Sequence, residues 1–144
     1  MPWNNNGWNN NGWNRNTSDE KIDWSLCPKD AKVLDLSFNQ LKELDLSKLP
    51  SSLQKLDLSH NQLEQLDLPQ GLQILDLNNN QLMTLDLSQL PSSLKELYLS
   101  FNQLKELDLS QLPSSLQYLY LSHNQFKELD LSQLPSSLQY LYLS

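Results

Sequence analysis

The 144-residue chain is acidic, with 10 Lys and Arg residues against 17 Asp and Glu residues and a net charge of −7. This balance argues against DNA, RNA and anionic membrane surfaces as partners, because those ligands need a basic footprint. No apolar run approaches the roughly 18 residues of a membrane-spanning helix. The first residues lack the features of a secretory signal, and Cys27 has no second cysteine for a disulfide. We therefore expect a cytoplasmic protein or one exported by another route.

Residues 1–16 form a segment rich in Trp and Asn. Its tryptophans, Trp3, Trp8 and Trp13, recur at equal intervals, with Asn-Gly twice between them. Because Asn-Gly favours tight turns, the segment is either a low-complexity tail or a turn-rich piece whose indoles pack on a protein surface. We favour the packed form. A row of indoles can also bind sugar rings, so glycan binding is an alternative function.

Residues 17–30 are predicted to form an N-terminal cap. The stretch TSDEKIDWSL has the length of a short helix, which Thr17 and Glu20 begin as a capping box. A stack of repeated units needs a cap for solubility. The apolar side chains that would cover the first unit are Ile22, Trp24 and Leu26.

Residues 31–144 consist of five repeats and the strand of a partial sixth. Each unit follows the pattern L-x-x-L-x-L-x-x-N-x-L, as in LQKLDLSHNQL. The pattern recurs about every 22 residues, a period that indicates a stacked repeat architecture. One unit is shorter, because LDLPQGL replaces the longer LDLSKLPSSL. The first residues of the units are Ala31, Leu53, Leu72, Leu94, Leu116 and Leu138.

The alternation in each unit predicts a short strand. In KLDLS, Leu56 and Leu58 point inward and the polar residues between them point outward. Because a single unit cannot bury its leucines, neighbours must stack about 4.8 Å apart in a parallel sheet. A second alternation, ELDLS, and the LPSS turn predict extended or 3-10 backbone opposite. The predicted fold class is a repeat solenoid with a curved parallel β-sheet on one face.

One asparagine in each unit is expected to hold the turn that follows the strand. Its amide can bond backbone groups that would otherwise be buried and unpaired. The column consists of Asn39, Asn61, Asn80, Asn102 and Asn124.

The repeated pattern resembles that of leucine-rich repeat proteins over residues 31–144. The LPSSL at the start of most units is similar to the bacterial subclass with L-P-x-x-L, which is found in secreted effectors whose repeats bind host proteins. The resemblance implies a non-catalytic scaffold for protein–protein interaction. The sequence departs from that subclass in lacking its ubiquitin-ligase domain and in having slightly longer units.

The outward strand positions change from acidic to aromatic along the stack. The C-terminal half carries five tyrosines in two adjacent columns, with Phe101 and His123 beside them. An exposed aromatic patch usually marks a contact site, and tyrosine is enriched in protein interfaces. The alternative is that tyrosine merely suits strands. We predict that a partner protein binds an aromatic patch of Tyr98, Phe101, Tyr118, Tyr120 and His123.

The acidic half of the central column offers a second candidate site. Asp35, Asp57 and Asp76 would lie about 5 Å apart, close enough for two carboxylates to share one Ca²⁺. A solvated acidic face is the simpler explanation, because repulsion between exposed neighbours is only about 1 kcal/mol. We therefore expect no cofactor, with calcium as the alternative.

The sequence offers no catalytic constellation. His60 and His123 are three units apart, roughly 14 Å along the stack, and cannot share one metal ion. Cys27 has no neighbouring histidine. We therefore expect that the protein is not an enzyme.

The final strand, LQYLYLS, has no successor in the sequence. Its leucines would meet water and its edge would carry unpaired N–H and C=O groups, which natural proteins rarely leave open. We predict a homodimer in which this edge pairs antiparallel with a second copy. The alternatives are a fragment of a longer solenoid and an aggregating edge. The predicted interface residues are Leu138, Tyr140, Leu141, Tyr142 and Leu143.

Overall fold

The structure is a computed structural model that describes residues 3–4, 7–9, 22 and 24–144. Its strands follow one another in chain order in a single sheet. Six of them belong to the repeats, and all neighbours pair in parallel except the first two. The predicted solenoid is therefore confirmed. The strands are β1 (Trp3–Asn4), β2 (Gly7–Asn9), β3 (Val33–Asp35), β4 (Lys55–Asp57), β5 (Ile74–Asp76), β6 (Glu96–Tyr98), β7 (Tyr118–Tyr120) and β8 (Tyr140–Tyr142).

Equivalent residues of neighbouring units pair directly across the sheet. Leu34 lies opposite Leu56, and Leu56 lies opposite Leu75. The central leucine of each strand from β3 to β7 is completely buried. Burying one leucine stabilises the fold by roughly 1.5–3 kcal/mol. The repeated leucines lie in one continuous core, so these contributions accumulate along the stack.

The opposite side of the solenoid consists of 3-10 turns that carboxylates cap. The side chain of Asp86 accepts a hydrogen bond from the backbone N–H of Ser88, and equivalent aspartates cap the next two turns. The turns cover Leu46–Lys48, Leu87–Gln89, Leu109–Gln111 and Leu131–Gln133. Within the described range, no helix has the length and apolarity that crossing a membrane requires.

The short unit, which begins at Leu53, loses its turn and keeps its strand. No 3-10 turn is described between Lys48 and Leu87. Gly71, with φ at 85°, allows the shortened connection, and the side-chain amide of Gln70 donates to the carbonyl of Gln89, 3.1 Å away. The deletion therefore leaves the register of the sheet unchanged.

The asparagine column ties each coil to the preceding one. The Nδ2 of Asn102 donates to the carbonyls of Leu77 and Leu99, at 2.9 and 3.1 Å. Its Oδ1 accepts from the N–H of Leu82 at 3.1 Å. Equivalent bonds are made by Asn61, Asn80 and Asn124.

The N-terminal segment contributes two strands that the sequence did not predict. Trp3 lies in β1 and Trp8 lies in β2, which pairs in parallel with β3. Trp13 and the side chains of the other two tryptophans lie outside the described residues. Glycan binding by these indoles and the boundaries of the 1–16 and 17–30 segments remain predictions.

The described part of the cap is a single 3-10 turn, Trp24–Leu26. Ile22 is buried in the core and Trp24 packs against it, whereas Leu26 is half exposed. The expectation that Leu26 covers the first unit is therefore wrong, because the turn directs this side chain to solvent. The rest of the predicted helix, residues 17–21 and 23, lies outside the described residues.

Asn102→Ala should destabilise the protein by roughly 3 kcal/mol, because it leaves buried carbonyls and an N–H unpaired at about 1–3 kcal/mol each. Gln103→Ala is the matched control, since the neighbouring glutamine side chain is exposed. Urea unfolding followed by circular dichroism measures both. Equal midpoints for the two variants would contradict the structural role of the asparagine.

Candidate functional site

The tyrosines of the outward strand positions form two ladders of stacked rings. In the first ladder, the ring centroids of Tyr98 and Tyr120 are 4.6 Å apart and those of Tyr120 and Tyr142 are 4.8 Å apart. In the second, Tyr118 and Tyr140 are 5.0 Å apart. The interplanar angles are 5–11°. Direct pairing of equivalent strand positions places these rings in contact, as the column pattern predicts.

Phe101 and His123 lie at the end of the strands beside these ladders. Their rings stack at 4.2 Å with an angle of 8° between them, and Phe101 is 49% exposed. Both residues have positive φ, 59° and 55°, which turns the chain sharply after the strand. The structure therefore places all five residues of the predicted aromatic patch on adjacent strands and turns.

The sequence reasoning missed a second pair of the same kind. Phe38 and His60 stack at 4.2 Å with an angle of 9°, and Phe38 is 62% exposed. The Nε2 of His60 also lies 3.4 Å from the side-chain nitrogen of Asn79. The signal was available, because a phenylalanine followed by a histidine at the same position of the next unit occurs twice.

The phenol groups of Tyr98 and Tyr120 remain protonated at neutral pH. Burial raises the pKa of Tyr98, and the hydrogen bond that its hydroxyl donates to Glu96 at 2.7 Å raises it further. Burial also raises the pKa of Tyr120, with a contribution from Tyr142. Tyr98 and Tyr120 therefore offer neutral hydroxyls to the aromatic patch.

The aspartates of the central column lie on adjacent strands as predicted, but each carboxylate is engaged locally. Asp35 and Asp57 each accept from the backbone N–H and the hydroxyl of the serine two residues later. Asp76 accepts from the N–H of Asn78 at 2.9 Å. The described residues contain no group of three side chains suited to a metal ion. Calcium binding therefore remains a prediction without structural support.

Burial raises the pKa of Asp76, and the adjacent charge of Asp57 adds to this shift. The ionised form of Asp76 is therefore penalised in the folded state. Asp86 has the opposite behaviour, because hydrogen bonds from the hydroxyl and backbone of Ser88 lower its pKa.

The residues of the predicted edge interface are less buried than their equivalents one coil earlier. Leu121 is 1% exposed, whereas Leu143 is 42% exposed. Tyr140 and Tyr142 are 51% and 47% exposed. Leu138 and Leu141 are only partly buried against the core. No described residue pairs with the outer edge of β8.

The chemistry of Cys27 gives no indication of catalysis. Its side chain is partly buried, and burial raises the pKa of the thiol. A nucleophilic cysteine needs the opposite shift, since the thiolate is the reactive form.

Asp76→Asn should increase the free energy of unfolding at pH 7 and have less effect at pH 3. A raised carboxyl pKa penalises the folded state above that pKa, and the penalty disappears when the group is protonated. Asp86→Asn is the matched comparison and should destabilise the protein at pH 7. The hydrogen bonds from Ser88 that lower the pKa of Asp86 stabilise its ionised carboxylate in the folded state. Urea titrations at both pH values measure these effects. The expectation fails if Asp76→Asn destabilises more at pH 7 than at pH 3.

Comparison with known families finds repeat models along most of the solenoid. The model for Leucine Rich repeats (2 copies) matches residues 32–70, and that for a single Leucine Rich Repeat matches residues 71–92. The FNIP Repeat model matches residues 83–123 and 101–144. A search of curated proteins gave no significant match.

The solved structures with the same architecture include those of three bacterial proteins. The leucine-rich repeat domain of a Shigella effector superposes with a TM-score of 0.70 at 28% identity, over 87% of this chain and 52% of that one. The functional domain of InlJ from Listeria monocytogenes gives 0.56 at 28% identity, over 81% and 35%. YopM from Yersinia enterocolitica gives 0.57 at 29% identity, over 81% and 34%.

The chain thus spans about half of the Shigella domain and about a third of the other two proteins. The family models, these superpositions, the stacked strands and the asparagine column agree. The chain is a leucine-rich repeat protein.

Proposed function

We propose that the protein is a non-catalytic scaffold that binds another protein through its aromatic patch. Leucine-rich repeats are generally a non-catalytic interaction fold. The observation that carries the proposal is the presence of three sets of stacked, partly exposed rings on β6 to β8 and the adjoining turns. Exposed aromatic surface of this kind favours association with a partner.

The patch is organised before any partner arrives. Stacking restricts the side-chain rotations, so little rotamer entropy remains to be lost on binding. The paired strands fix the backbone beneath the rings. Tyrosine adds a large contact area and a hydroxyl that can hydrogen-bond, a combination that is typical of strong contact residues.

The similarity to bacterial proteins bears on what kind of partner the protein binds. One is described as an effector. We infer by analogy that the partner is a protein of another cell or compartment. The lone cysteine at position 27 fits a reducing environment, whether the protein stays in the cytoplasm or is delivered into one.

A photoreactive phenylalanine at position 118 should cross-link to a partner protein, whereas the same group at the exposed position 84 should not. Once the partner is purified, Tyr120→Ser should weaken its affinity at least tenfold, as expected for a central aromatic contact. Thr84→Ser is the matched control and should leave the affinity unchanged. Calorimetry or surface plasmon resonance measures both constants. Equal cross-linking at the two positions would contradict the proposed surface.

We also propose that the chain self-associates as a homodimer through the edge strand β8. The partly exposed side chains of Tyr140, Tyr142 and Leu143 favour this second interaction. Pairing with another copy would cover them and satisfy the backbone groups of the edge.

Light scattering across a dilution series should give twice the 16.7 kDa mass of the chain. Leu143→Glu should reduce the mass to that of the single chain, because a carboxylate would be buried in the interface. Met83→Glu is the control, since Met83 is 50% exposed and belongs to a different surface. A constant mass of 16.7 kDa for the unmodified chain at high micromolar concentration would exclude the homodimer.

A further inference from the structure

The first tyrosine ladder begins at Tyr98, whose ring is stacked on one face only within the described residues. That face lies on Tyr120, at a centroid distance of 4.6 Å and an angle of 11°. On the other side, the residue that pairs with Tyr98 across the sheet is Asp76 of β5. Because the side chain of aspartate is shorter than that of tyrosine by a whole ring, the second face of Tyr98 stands above the carboxylate. An aromatic face and a carboxylate therefore border the same space on the strand face.

Asp76 differs from the aspartates before it in the same column. Asp35 and Asp57 each accept from a serine hydroxyl as well as from a backbone N–H. The one hydrogen bond described for Asp76 comes from the N–H of Asn78, at 2.9 Å. Asn78 stands where the other units have serine, and its side-chain oxygen accepts from the N–H of Ser100 in the next coil, at 2.8 Å. Asp76 therefore lacks the hydroxyl donor that its equivalents have.

The charge on Asp76 is poorly compensated inside the chain. Burial raises the pKa of this carboxyl, and the adjacent Asp57 adds to the shift, whereas Lys55 and His60 oppose it only in part. A carboxylate that costs stability beside an exposed aromatic surface is typical of a binding site, where a ligand supplies the missing counter-charge.

The ring of Tyr98 is fixed in place before a ligand arrives. Its hydroxyl donates to the carboxylate of Glu96 at 2.7 Å, and its ring packs on Tyr120. Glu96 also brings a second negative charge to the same place. Ile74, which pairs with Glu96 and is partly exposed, offers apolar surface to the methylene groups of a long side chain.

We propose that Asp76, Glu96 and Tyr98 form a boundary site that binds an arginine side chain of the partner protein. The guanidinium stacks on the second face of Tyr98 and forms an ion pair with Asp76. Arginine fits this site better than lysine, because its planar group stacks on aromatic rings and hydrogen-bonds carboxylates through two N–H groups. This inference rests on the proposed binding of a protein partner and names the side chain that is recognised where the acidic and aromatic halves meet.

A blocked single arginine, N-acetyl-arginine N-methylamide, tests the site by NMR titration of the ¹⁵N-labelled chain. It should give saturable shifts at the backbone amides of Asp76, Asn78 and Ser100. Its δ-methylene protons should move upfield, because stacking places them over the ring of Tyr98. Asp76→Asn and Tyr98→Leu should each weaken binding by roughly threefold to tenfold, as expected for an ion pair and a cation–π contact. Asp35→Asn is the matched control and should leave the affinity unchanged, since it removes the same charge two units away.

The corresponding citrulline compound, which has the same shape without the charge, should bind at least tenfold more weakly. Equal binding of citrulline, or unchanged affinity in Asp76→Asn or Tyr98→Leu, would overturn the boundary site. The amide spectrum of each variant reports whether its fold is intact. If the arginine compound gives no saturable shift while the photoreactive group at position 118 still captures a partner, the inference is wrong and the proposed function stands. Failure of both experiments would overturn both.

Discussion

The whole structure depends on a buried amide that joins one coil to the next. Each strand of the repeats has only three residues and is followed by a turn. The carbonyl groups of this turn are buried in the stack, where water cannot hydrogen-bond to them. Asn102 meets this need by donating to carbonyls of two coils and accepting from the N–H of Leu82. A leucine at this position would supply apolar area but leave these groups unpaired, which explains why a polar residue recurs inside an otherwise leucine-filled core.

The asparagines and leucines fix one register between neighbouring units. Residues at the same position of successive repeats therefore form a continuous row on the surface. Equivalent positions of neighbouring units lie directly opposite each other, so identical residues in successive repeats must touch. Repeated tyrosines therefore stack, and repeated aspartates repel. The boundary between the acidic and aromatic halves of the strand face lies between Asp76 and Tyr98, which pair across β5 and β6. Burial raises the pKa of Asp76, whereas the ring of Tyr98 stacks on that of Tyr120. The surface changes character there although the underlying core does not.

The repeats could be predicted from the sequence because their period fixes both the strand and its register. The leucines at Leu56 and Leu58, the asparagine column and the adjacent tyrosines all followed from spacing alone. The strands β1 and β2 could not be predicted, since Trp, Asn and Gly there show no apolar alternation. β1 pairs with β2, and β2 pairs with β3. The single turn at Trp24–Leu26 was likewise beyond reach, because a short capped helix and one 3-10 turn share the same local signals.

The turn after each strand has a physical consequence for function. Phe38, His60, Phe101 and His123 all have φ between 54° and 59°, a region that opposes a Cβ by roughly 1–2 kcal/mol per residue. Hydrogen bonds to the next coil enforce this backbone, as when Phe101 N–H donates to Ser122 at 2.9 Å. The turn itself needs no ring, and Asn79 occupies the same position with φ of 57°. The backbone of the turn therefore does not account for the stacked, exposed rings, and this favours the proposal that they contact another molecule.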